Sequence, residues 1–462
     1  MEDTIAAVAT AYGEGSIGII RISGQQAFSI LKKVFVPANG RNIESRKLTY
    51  GHVVDYRKPE GEGIIDEVLS VYMKGPHTYT AEDVVEINCH GSMVSLRKTL
   101  DLVIQSGARM AEPGEFTKRA FLNGRLDLSQ AEAVMDLISA KTDKGFDSAL
   151  NQLSGSLSEE IREIRGLLMD QLVDITVNID YPDEDIEVIV YDKFKNKLQQ
   201  VVDRIVSLIS SMDVGKIIKE GFNLVIVGKP NVGKSSFMNA ILKENRAIVT
   251  DVPGTTRDTI VEDINLKGIP IKLTDTAGIR KTNDKVEMIG IEKSMQSFND
   301  ADLVLFIMDA SRDIDQEDKN IIEAIGDKKA IVLMNKQDLG SSLVEKDLDE
   351  LKSAMPNARF IETSVIKGEG VSLVEDEIEN MVYKGDIRQG GKTFVTNVRH
   401  GNLLKDAEKS LRDAINMVSS GEALEFVEVD VKTAWESLGE IIGESVSENI
   451  IDEVFSRFCL GK

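Results

Sequence analysis

Cysteine is scarce and long apolar runs are missing from this chain of 462 residues. Cys89 and Cys459 lie far apart and outside any CxxC or Cys/His cluster, which argues against a disulfide framework or a zinc site. No apolar run approaches the roughly eighteen residues of a membrane helix. The first ten residues lack the basic region of a signal peptide. These absences predict a cytoplasmic protein with no membrane partner.

Positive charge is also in short supply. The chain has 55 Lys and Arg residues against 77 Asp and Glu residues, which gives a formal net charge of -22. Such a chain repels nucleic acid on average. Any RNA partner must therefore be held by a local basic patch or by another subunit.

The length exceeds what one hydrophobic core supports and predicts about two to four domains. Residues 1–118 mix short β-like runs with amphipathic helices, and residues 119–215 are helical. Residues 216–383 alternate apolar strands with helices, which is typical of a mostly parallel sheet covered on both faces. Residues 384–462 are helical again. The pattern alone leaves open whether the two helical stretches form one bundle or two separate domains.

Hydrophobic periodicity also predicts individual elements. The predicted strands are residues 17–22, 64–73, 84–88, 223–228, 271–275, 302–309, 330–335 and 359–364. The predicted helices include residues 27–34, 93–104, 403–418 and 434–446.

Residues 228–235 read GKPNVGKS, the pattern of a phosphate-binding P-loop, between a predicted strand and a predicted helix. Its glycines let backbone N–H groups surround phosphates at the positive end of a helix. We expect Lys234 to reach the β- and γ-phosphates and the Ser235 hydroxyl to bind Mg²⁺. This motif is a strong signal because both the residue pattern and the predicted strand and helix on either side of it agree with a P-loop.

Two further motifs follow strand ends. Asp275 begins the run DTAG and is expected to hold Mg²⁺, with Gly278 near the γ-phosphate. Residues 335–338 read NKQD, and a carboxylate at Asp338 accepts two N–H bonds from guanine that adenine does not offer. The predicted nucleotide is therefore GTP. Thr256 is the expected second protein ligand to Mg²⁺. Residues 363–365 (TSV) lie where a loop would complete the base pocket, but the match is weak because the usual Ser-Ala-Lys reads Ser-Val-Ile here.

The residue that orients the attacking water must differ from that of small regulatory GTPases. Their glutamine position, directly after DTAG, is Ile279 here, and an aliphatic side chain cannot orient water. Glu287 is our candidate for this role. Asn231 in the P-loop is a second catalytic candidate, because it can help to bind a monovalent cation.

Three runs outside the GTPase motifs carry a family resemblance. They are IIRISG at residues 19–24, PGEFTKRAFLNGRLDLSQAEAVMDLI at residues 113–138 and FCLGK at residues 458–462. With the GTPase motifs, they make the whole chain resemble the MnmE (TrmE) family of tRNA uridine-modification GTPases. The resemblance implies an α+β N-terminal folate-binding-like domain that dimerises, one α-helical bundle domain in two sequence segments, and an inserted α/β P-loop GTPase domain. The implied boundaries are residues 1–118, 119–215, 216–383 and 384–462.

The same resemblance implies an activity and partners. The family adds an aminomethyl-type or carboxymethylaminomethyl group to carbon 5 of the wobble uridine of certain tRNAs. It acts with the FAD protein MnmG (GidA) and takes a one-carbon unit from 5-formyltetrahydrofolate or another reduced folate. A homodimer through the N-terminal domain is implied, and tRNA held mainly with the partner would reconcile this activity with the acidic charge.

Carried over to this chain, the implied folate contacts are Arg21, Glu86, Arg125 and Lys462, with Cys459 as a possible participant in the chemistry. The resemblance also supports Glu287 as the residue that positions water. It implies activation by G-domain dimerisation and a K⁺ site built from Asn231, Thr250, Val252 and Thr255. The expected guanine-nucleotide contacts are Asn231, Val232, Gly233, Lys234, Ser235, Ser236, Thr250, Asp251, Val252, Pro253, Gly254, Thr255, Thr256, Asp275, Thr276, Ala277, Gly278, Asn335, Lys336 and Asp338.

A ribosome-assembly GTPase is the alternative reading, because such proteins share these nucleotide motifs. They usually append a basic RNA-binding module, whereas the last 80 or so residues here are acidic and helical. A scaffold that only binds GTP is disfavoured by the full set of Mg²⁺ ligands. The tRNA-modification reading therefore leads.

Overall fold

A computed structural model gives the structure of residues 3–11, 13–38, 40, 42–59, 61–180, 191–244, 261–275, 296–383, 394–459 and 461–462. The chain divides into two compact units. The first unit comprises Met1–Met135, Gln152–Lys195 and Ser410–Lys462, and the second comprises Asp136–Asn151 and Asn196–Lys409. Within the described ranges, no helix combines the length and apolarity that a membrane crossing requires.

The first unit is built on a seven-stranded sheet with the order β3-β4-β5-β6-β2-β1-β7. Its strands are β1 Ile5–Val8, β2 Ile17–Ser23, β3 Phe35–Pro37, β4 Thr49–Val54, β5 Ile64–Met73, β6 Val84–His90 and β7 Arg109–Met110. All pairs are antiparallel except β1 with β7. Helices α1 (Ala27–Val34) and α2 (Met93–Gln105) bury their apolar positions in the same core as the sheet.

The next helices after this sheet in chain order are divided between the two units. They are α3 Glu115–Leu122, α4 Leu128–Ser139, α5 Asp143–Leu153, α6 Ser156–Asp180, α7 Tyr191–Ser210 and α8 Met212–Glu220, of which the last residues of α4, most of α5 and α7 and all of α8 fall in the second unit. Long helix α6 packs along a helix from the far end of the sequence, residues 424–442. There the buried Arg165 guanidinium lies 3.9 Å from the Trp435 ring centroid, and its Nε donates to the Trp435 carbonyl.

The second unit holds a six-stranded sheet with the order β13-β12-β11-β8-β10-β9, parallel except for β9 with β10. Its strands are β8 Phe222–Val227, β9 Val261–Leu266, β10 Ile269–Asp275, β11 Leu303–Asp309, β12 Ala330–Asn335 and β13 Ala358–Glu362. The central strands β11 and β12 are buried along their whole length, as expected of a sheet covered on both faces. Two apolar clusters, one on each face, form the core.

The remaining helices follow in chain order. They are α9 Lys234–Glu244, α10 Gln316–Ile325, α11 Glu345–Ala354, α12 Val371–Tyr383, α13 Val398–Ser420, α14 Leu424–Ile442 and α15 Glu448–Ser456. Helices α9 and α12 cover the same face of the sheet in the second unit. Residues 316–325 and 345–354, in α10 and α11, contribute to the opposite face.

Most predicted elements are confirmed, and three of them have the predicted bounds: the strands at residues 64–73 and 330–335 and the helix at residues 27–34. One prediction was wrong: the helix at residues 434–446 ends at Ile442. The cause is Gly443, whose φ of 89° belongs to the left-handed region, so that it terminates α14 as a C-cap. The division into residues 1–118, 119–215, 216–383 and 384–462 stays a prediction.

Candidate functional site

The P-loop connects β8 to α9, at the carboxyl end of a parallel strand. Its second lysine, Lys234, opens α9 and donates from Nζ to the carbonyls of Gly228 at 2.8 Å and Lys229 at 2.9 Å. Gly233 has a φ of 110°, and a Cβ there would collide with the Asn335 amide. Glycine is therefore required for backbone geometry and for the close approach of a second loop.

Asn335 begins the loop at residues 335–338, which we call the base-reading loop, and it contacts both the P-loop and residues 363–365. It is buried at the end of β12, and its Nδ2 donates to the Val232 carbonyl at 2.8 Å. Its Oδ1 accepts from the Val365 N–H at 3.1 Å. Asn335, a predicted nucleotide contact, thus ties the P-loop to the loop at residues 363–365.

Asp338, the predicted reader of guanine, lies in the turn that follows β12. Its Oδ1 accepts a hydrogen bond from the Ser364 hydroxyl at 2.6 Å. That bond is the main reason that the pKa of the half-buried Asp338 carboxyl lies below its usual value. The carboxylate is therefore held ionised as an acceptor. The weak match at residues 363–365 was thus a useful signal, although its serine contacts the aspartate itself.

Two non-glycine residues in the nucleotide loops adopt left-handed backbone. Asn231 has a φ of 64° and Lys336 a φ of 68°. Asparagine enters this region readily, whereas lysine does so at a cost of order 1 kcal/mol or more. Such conformations persist where surrounding contacts fix them, and here both lie in predicted binding motifs.

Much of the predicted nucleotide site lies outside the described residues. Asp275 ends β10 beside β8, opposite Ile226 in the strand register. Val232, Ser235 and Ser236 are described within the loop and the first turn of α9. The predicted residues outside the described ranges are Thr250, Asp251, Val252, Pro253, Gly254, Thr255, Thr256, Thr276, Ala277, Gly278, Ile279 and Glu287.

A second cluster of predicted residues lies in the first unit. Arg21 on β2 stands directly opposite Glu86 on β6 in the antiparallel register. Arg21 Nε lies 2.9 Å from Glu86 Oε1, and both side chains are mostly buried, at 18% and 22% exposed. Strand pairing alone therefore brings together two predicted folate contacts that are 65 positions apart.

Tyr79 links this pair to a third predicted residue. The Arg21 guanidinium lies 5.5 Å from the Tyr79 ring centroid, and the Arg125 guanidinium lies 4.9 Å from it. Arg125 Nη1 also donates to the Tyr79 carbonyl at 3.0 Å, and Phe116 flanks Arg21 at 5.8 Å. Sequence reasoning missed Tyr79 and Phe116, because an aromatic residue in an irregular loop or on a buried helix face gives no pattern of its own.

The C-terminal tail completes this cluster. The Lys462 carbonyl accepts from the Phe116 N–H at 3.2 Å, and the Cys459 carbonyl accepts from the Gly114 N–H at 3.4 Å. Burial is the main cause of a lowered pKa for the Lys462 ammonium; nearby Arg21 lowers it further, against Cys459 and Glu86. The predicted quartet Arg21, Glu86, Arg125 and Lys462 is thus gathered around Tyr79 and Phe116. Cys459 is exposed beside it.

The nucleotide loops decide the class of the protein. A P-loop at the carboxyl end of β8, tied through Asn335 to a loop that presents Asp338, belongs to a guanine-nucleotide-specific P-loop GTPase.

The particular family follows from comparison with known proteins: this chain belongs to the MnmE family. Residues 4–125 match the family model "GTP-binding protein TrmE N-terminus", and residues 128–459 match "MnmE helical domain". The chain is 52% identical to the tRNA modification GTPase MnmE of Alkaliphilus metalliredigens, with all of both chains covered. It is 51% identical to the protein of that name from Clostridioides difficile, again over all of both chains. A solved Era variant from Aquifex aeolicus bound to GDP and AlF4⁻ covers 40% of this chain and 65% of its own, with 28% identity and a TM-score of 0.28.

Proposed function

We propose that this chain is the GTP-hydrolysing component of a tRNA modification system. The system adds an aminomethyl or carboxymethylaminomethyl group to carbon 5 of the wobble uridine of certain tRNAs. The one-carbon unit comes from a reduced folate such as 5-formyltetrahydrofolate. The relatives that match the whole chain are named tRNA modification GTPases, which supports the tRNA part of the proposal.

The observation that carries the folate part is the cluster around Tyr79. It combines three cationic side chains, one carboxylate and two aromatic rings in one place. A pterin presents a guanine-like donor edge that a carboxylate such as Glu86 accepts, and the arginines suit the carboxylates of a folate. An aromatic face at Tyr79 offers a stacking surface for the flat ring.

The second unit carries the nucleotide motifs and is called the nucleotide unit below. Each group in it has a proposed task. Lys234 neutralises the β- and γ-phosphates, Asp338 selects guanine, and Glu287 positions the attacking water. Ser235, Thr256 and Asp275 supply hydroxyl and carboxylate oxygens, which are the donors that Mg²⁺ prefers. When bound, that ion neutralises charge on the phosphate oxygens.

A potassium ion is the proposed second cation of the nucleotide site. Asn231, Thr250, Val252 and Thr255 would hold it, and the left-handed backbone at Asn231 is compatible with an unusual role for that side chain. Hydrolysis would then require pairing of two nucleotide units, and would drive opening and closing of the pair.

The proposed assembly contains more than one chain. The N-terminal region forms a homodimer, the FAD protein MnmG (GidA) is the catalytic partner, and tRNA is held mainly by that partner in the cytoplasm. The net charge of -22 supports this division, because this chain alone repels RNA on average.

Calorimetric titration with 5-formyltetrahydrofolate tests the proposal. We expect saturable binding to the full-length protein, and a loss of at least about tenfold in affinity for Arg21→Ala, because a desolvated charge pair is removed. Arg97→Ala, at an exposed arginine on α2 in the same unit, is the matched control and should bind as the wild type does. An intact protein that binds GTP but no folate would favour a ribosome-assembly GTPase instead.

A further inference from the structure

Three aspartates in the second unit contact two lysines of the nucleotide motifs. Asp309 ends β11, Asp315 is the N-cap of α10, and Asp318 lies in the first turn of that helix. None of the three belongs to a nucleotide motif. Their partners are Lys229, inside the P-loop, and Lys336, inside NKQD. We call Asp309, Asp315 and Asp318 the acidic clamp.

The contact with the P-loop is buried. The Lys229 side chain is 6% exposed, and its Nζ lies 2.6 Å from Asp318 Oδ2 and 2.7 Å from Asp315 Oδ2. Burial lowers the pKa of this ammonium, but the two carboxylates raise it by more, so that the net shift is upward. Lys229 therefore stays charged, and a buried charge is stable only with its partner in place. This pair fixes the residue next to Gly228 to the start of α10.

The aspartates that receive Lys229 are themselves held by the helix. Asp315 Oδ1 accepts from the N–H groups of Glu317 at 2.9 Å and Asp318 at 3.2 Å. Asp318 Oδ2 accepts in return from the Asp315 N–H at 3.2 Å, which completes a capping box. Because both carboxylates are fixed to backbone groups, they form a rigid anchor for the lysine.

The contact with the base-reading loop is similar. Lys336 Nζ lies 2.7 Å from Asp309 Oδ2, and Asp309 is buried. The Ser311 hydroxyl and N–H hold Asp309 Oδ1 at 2.6 Å and 3.1 Å. In addition, the Ala310 N–H donates to the Asn335 carbonyl at 2.9 Å. These contacts surround the one lysine of the motif that adopts left-handed backbone.

We propose that the acidic clamp is a positioning element for GTP. It holds the P-loop through Lys229 and the base-reading loop through Lys336 in the shape that receives the nucleotide. Without it, only a fraction of molecules has the receiving shape, and the apparent affinity falls by that fraction. Once the nucleotide is bound, its hydrolysis proceeds as before. The clamp should therefore affect KM and not kcat.

Lys229→Met tests this in the full-length protein. We expect KM for GTP and the Kd of a fluorescent GDP analogue to rise at least about fivefold, with kcat within about twofold of the wild type. Lys229→Arg keeps the charge and should restore both constants to within about twofold. Asp313→Asn makes an acid-to-amide change at an exposed residue between Asp309 and Asp315 in sequence, and should alter neither constant.

Other results would overturn the proposal. One is a lower unfolding temperature of Lys229→Met with an unchanged KM and Kd, which would show a merely structural role. A fall in kcat with unchanged KM and Kd would also overturn the proposal, because the clamp is proposed to act on binding. If Lys229→Met does not fold, Asp309→Asn decides the matter through the Lys336 contact. A GDP affinity at least about fivefold weaker supports the clamp, and an unchanged affinity refutes it.

Discussion

The two units build their sites from the chain in opposite ways. In the nucleotide unit, each function lies on a short run of residues at the carboxyl end of a parallel strand, as with the P-loop after β8 and Asp338 after β12. In the first unit, the residues of the site come from distant parts of the sequence. Strand pairing brings Arg21 opposite Glu86, and the docked C-terminal tail adds Lys462. A site of the first kind depends mainly on loop shape, and one of the second kind depends on the whole unit being folded.

The largest expected effect is on the stability of the first unit. Arg119 is fully buried, and its Nη2 donates to Asp3 at 2.8 Å and to Glu115 at 3.0 Å, while Nη1 reaches Glu82 at 3.2 Å. Arg119→Met leaves these acids without that cation. We expect a loss of about 3–5 kcal/mol in the free energy of unfolding of this unit.

Scanning calorimetry measures this change, with saturating GDP used to identify the transition of the nucleotide unit. Arg457→Met is the control, because that side chain is 75% exposed and forms a surface ion pair with Glu453, four residues earlier. We expect a loss of about 0.5 kcal/mol. If both variants lose equally little stability, the first unit does not depend on long-range charge pairing, and the comparison fails.

The second expected effect is on the rate of GTP hydrolysis and not on GTP binding. Glu287→Ala should lower the rate of GTP hydrolysis by roughly 100-fold, because the water loses its positioning group. The Kd for GTP should change less than about twofold. Assays in KCl and in NaCl at equal ionic strength add the cation test: K⁺ should accelerate the wild type, and equal rates would contradict a site at Asn231. Unchanged turnover in the variant would exclude Glu287.

The smallest expected effect is on GDP affinity and concerns one hydrogen bond, between Ser364 and Asp338. Ser364→Ala removes the hydroxyl that holds Asp338 and should weaken GDP binding by about fivefold, or about 1 kcal/mol. Ser364→Thr keeps a hydroxyl and serves as the control. Folate binding should be unchanged in both. Equal GDP affinities in the alanine and threonine variants would mean that Asp338 needs no support.

The nucleotide loops were predictable from sequence because motif spacing and backbone geometry are both local there. Lys234, Asn335 and Asp338 lie where the strand ends require. The role of Lys229 was not predictable, since its partners Asp315 and Asp318 are more than 80 positions away. Their DxxD spacing signals a helix N-cap and says nothing about a lysine.

In the first unit, the predicted strands β2 and β6 did not by themselves place Arg21 opposite Glu86. A shift of the register by one residue would move one of the two to the other face of the sheet. The quartet was therefore proposed through family resemblance, and no periodicity pointed to Tyr79 as its centre. Short edge strands such as β3 and β7 also escaped prediction, because two or three residues are too few to show alternation.

The docked tail sets an order of events during protein synthesis. Gly461, with a φ of 89°, fits against the Val8 carbonyl where no Cβ would fit. A ribosome makes Val8 near the start of translation but Gly461 only after the residues of the nucleotide unit. The cluster around Tyr79 is consequently completed after the GTP site has been synthesised. A nascent chain interrupted before residue 458 would carry the nucleotide motifs but would lack the backbone hydrogen bonds by which Cys459 and Lys462 hold residues 114–116.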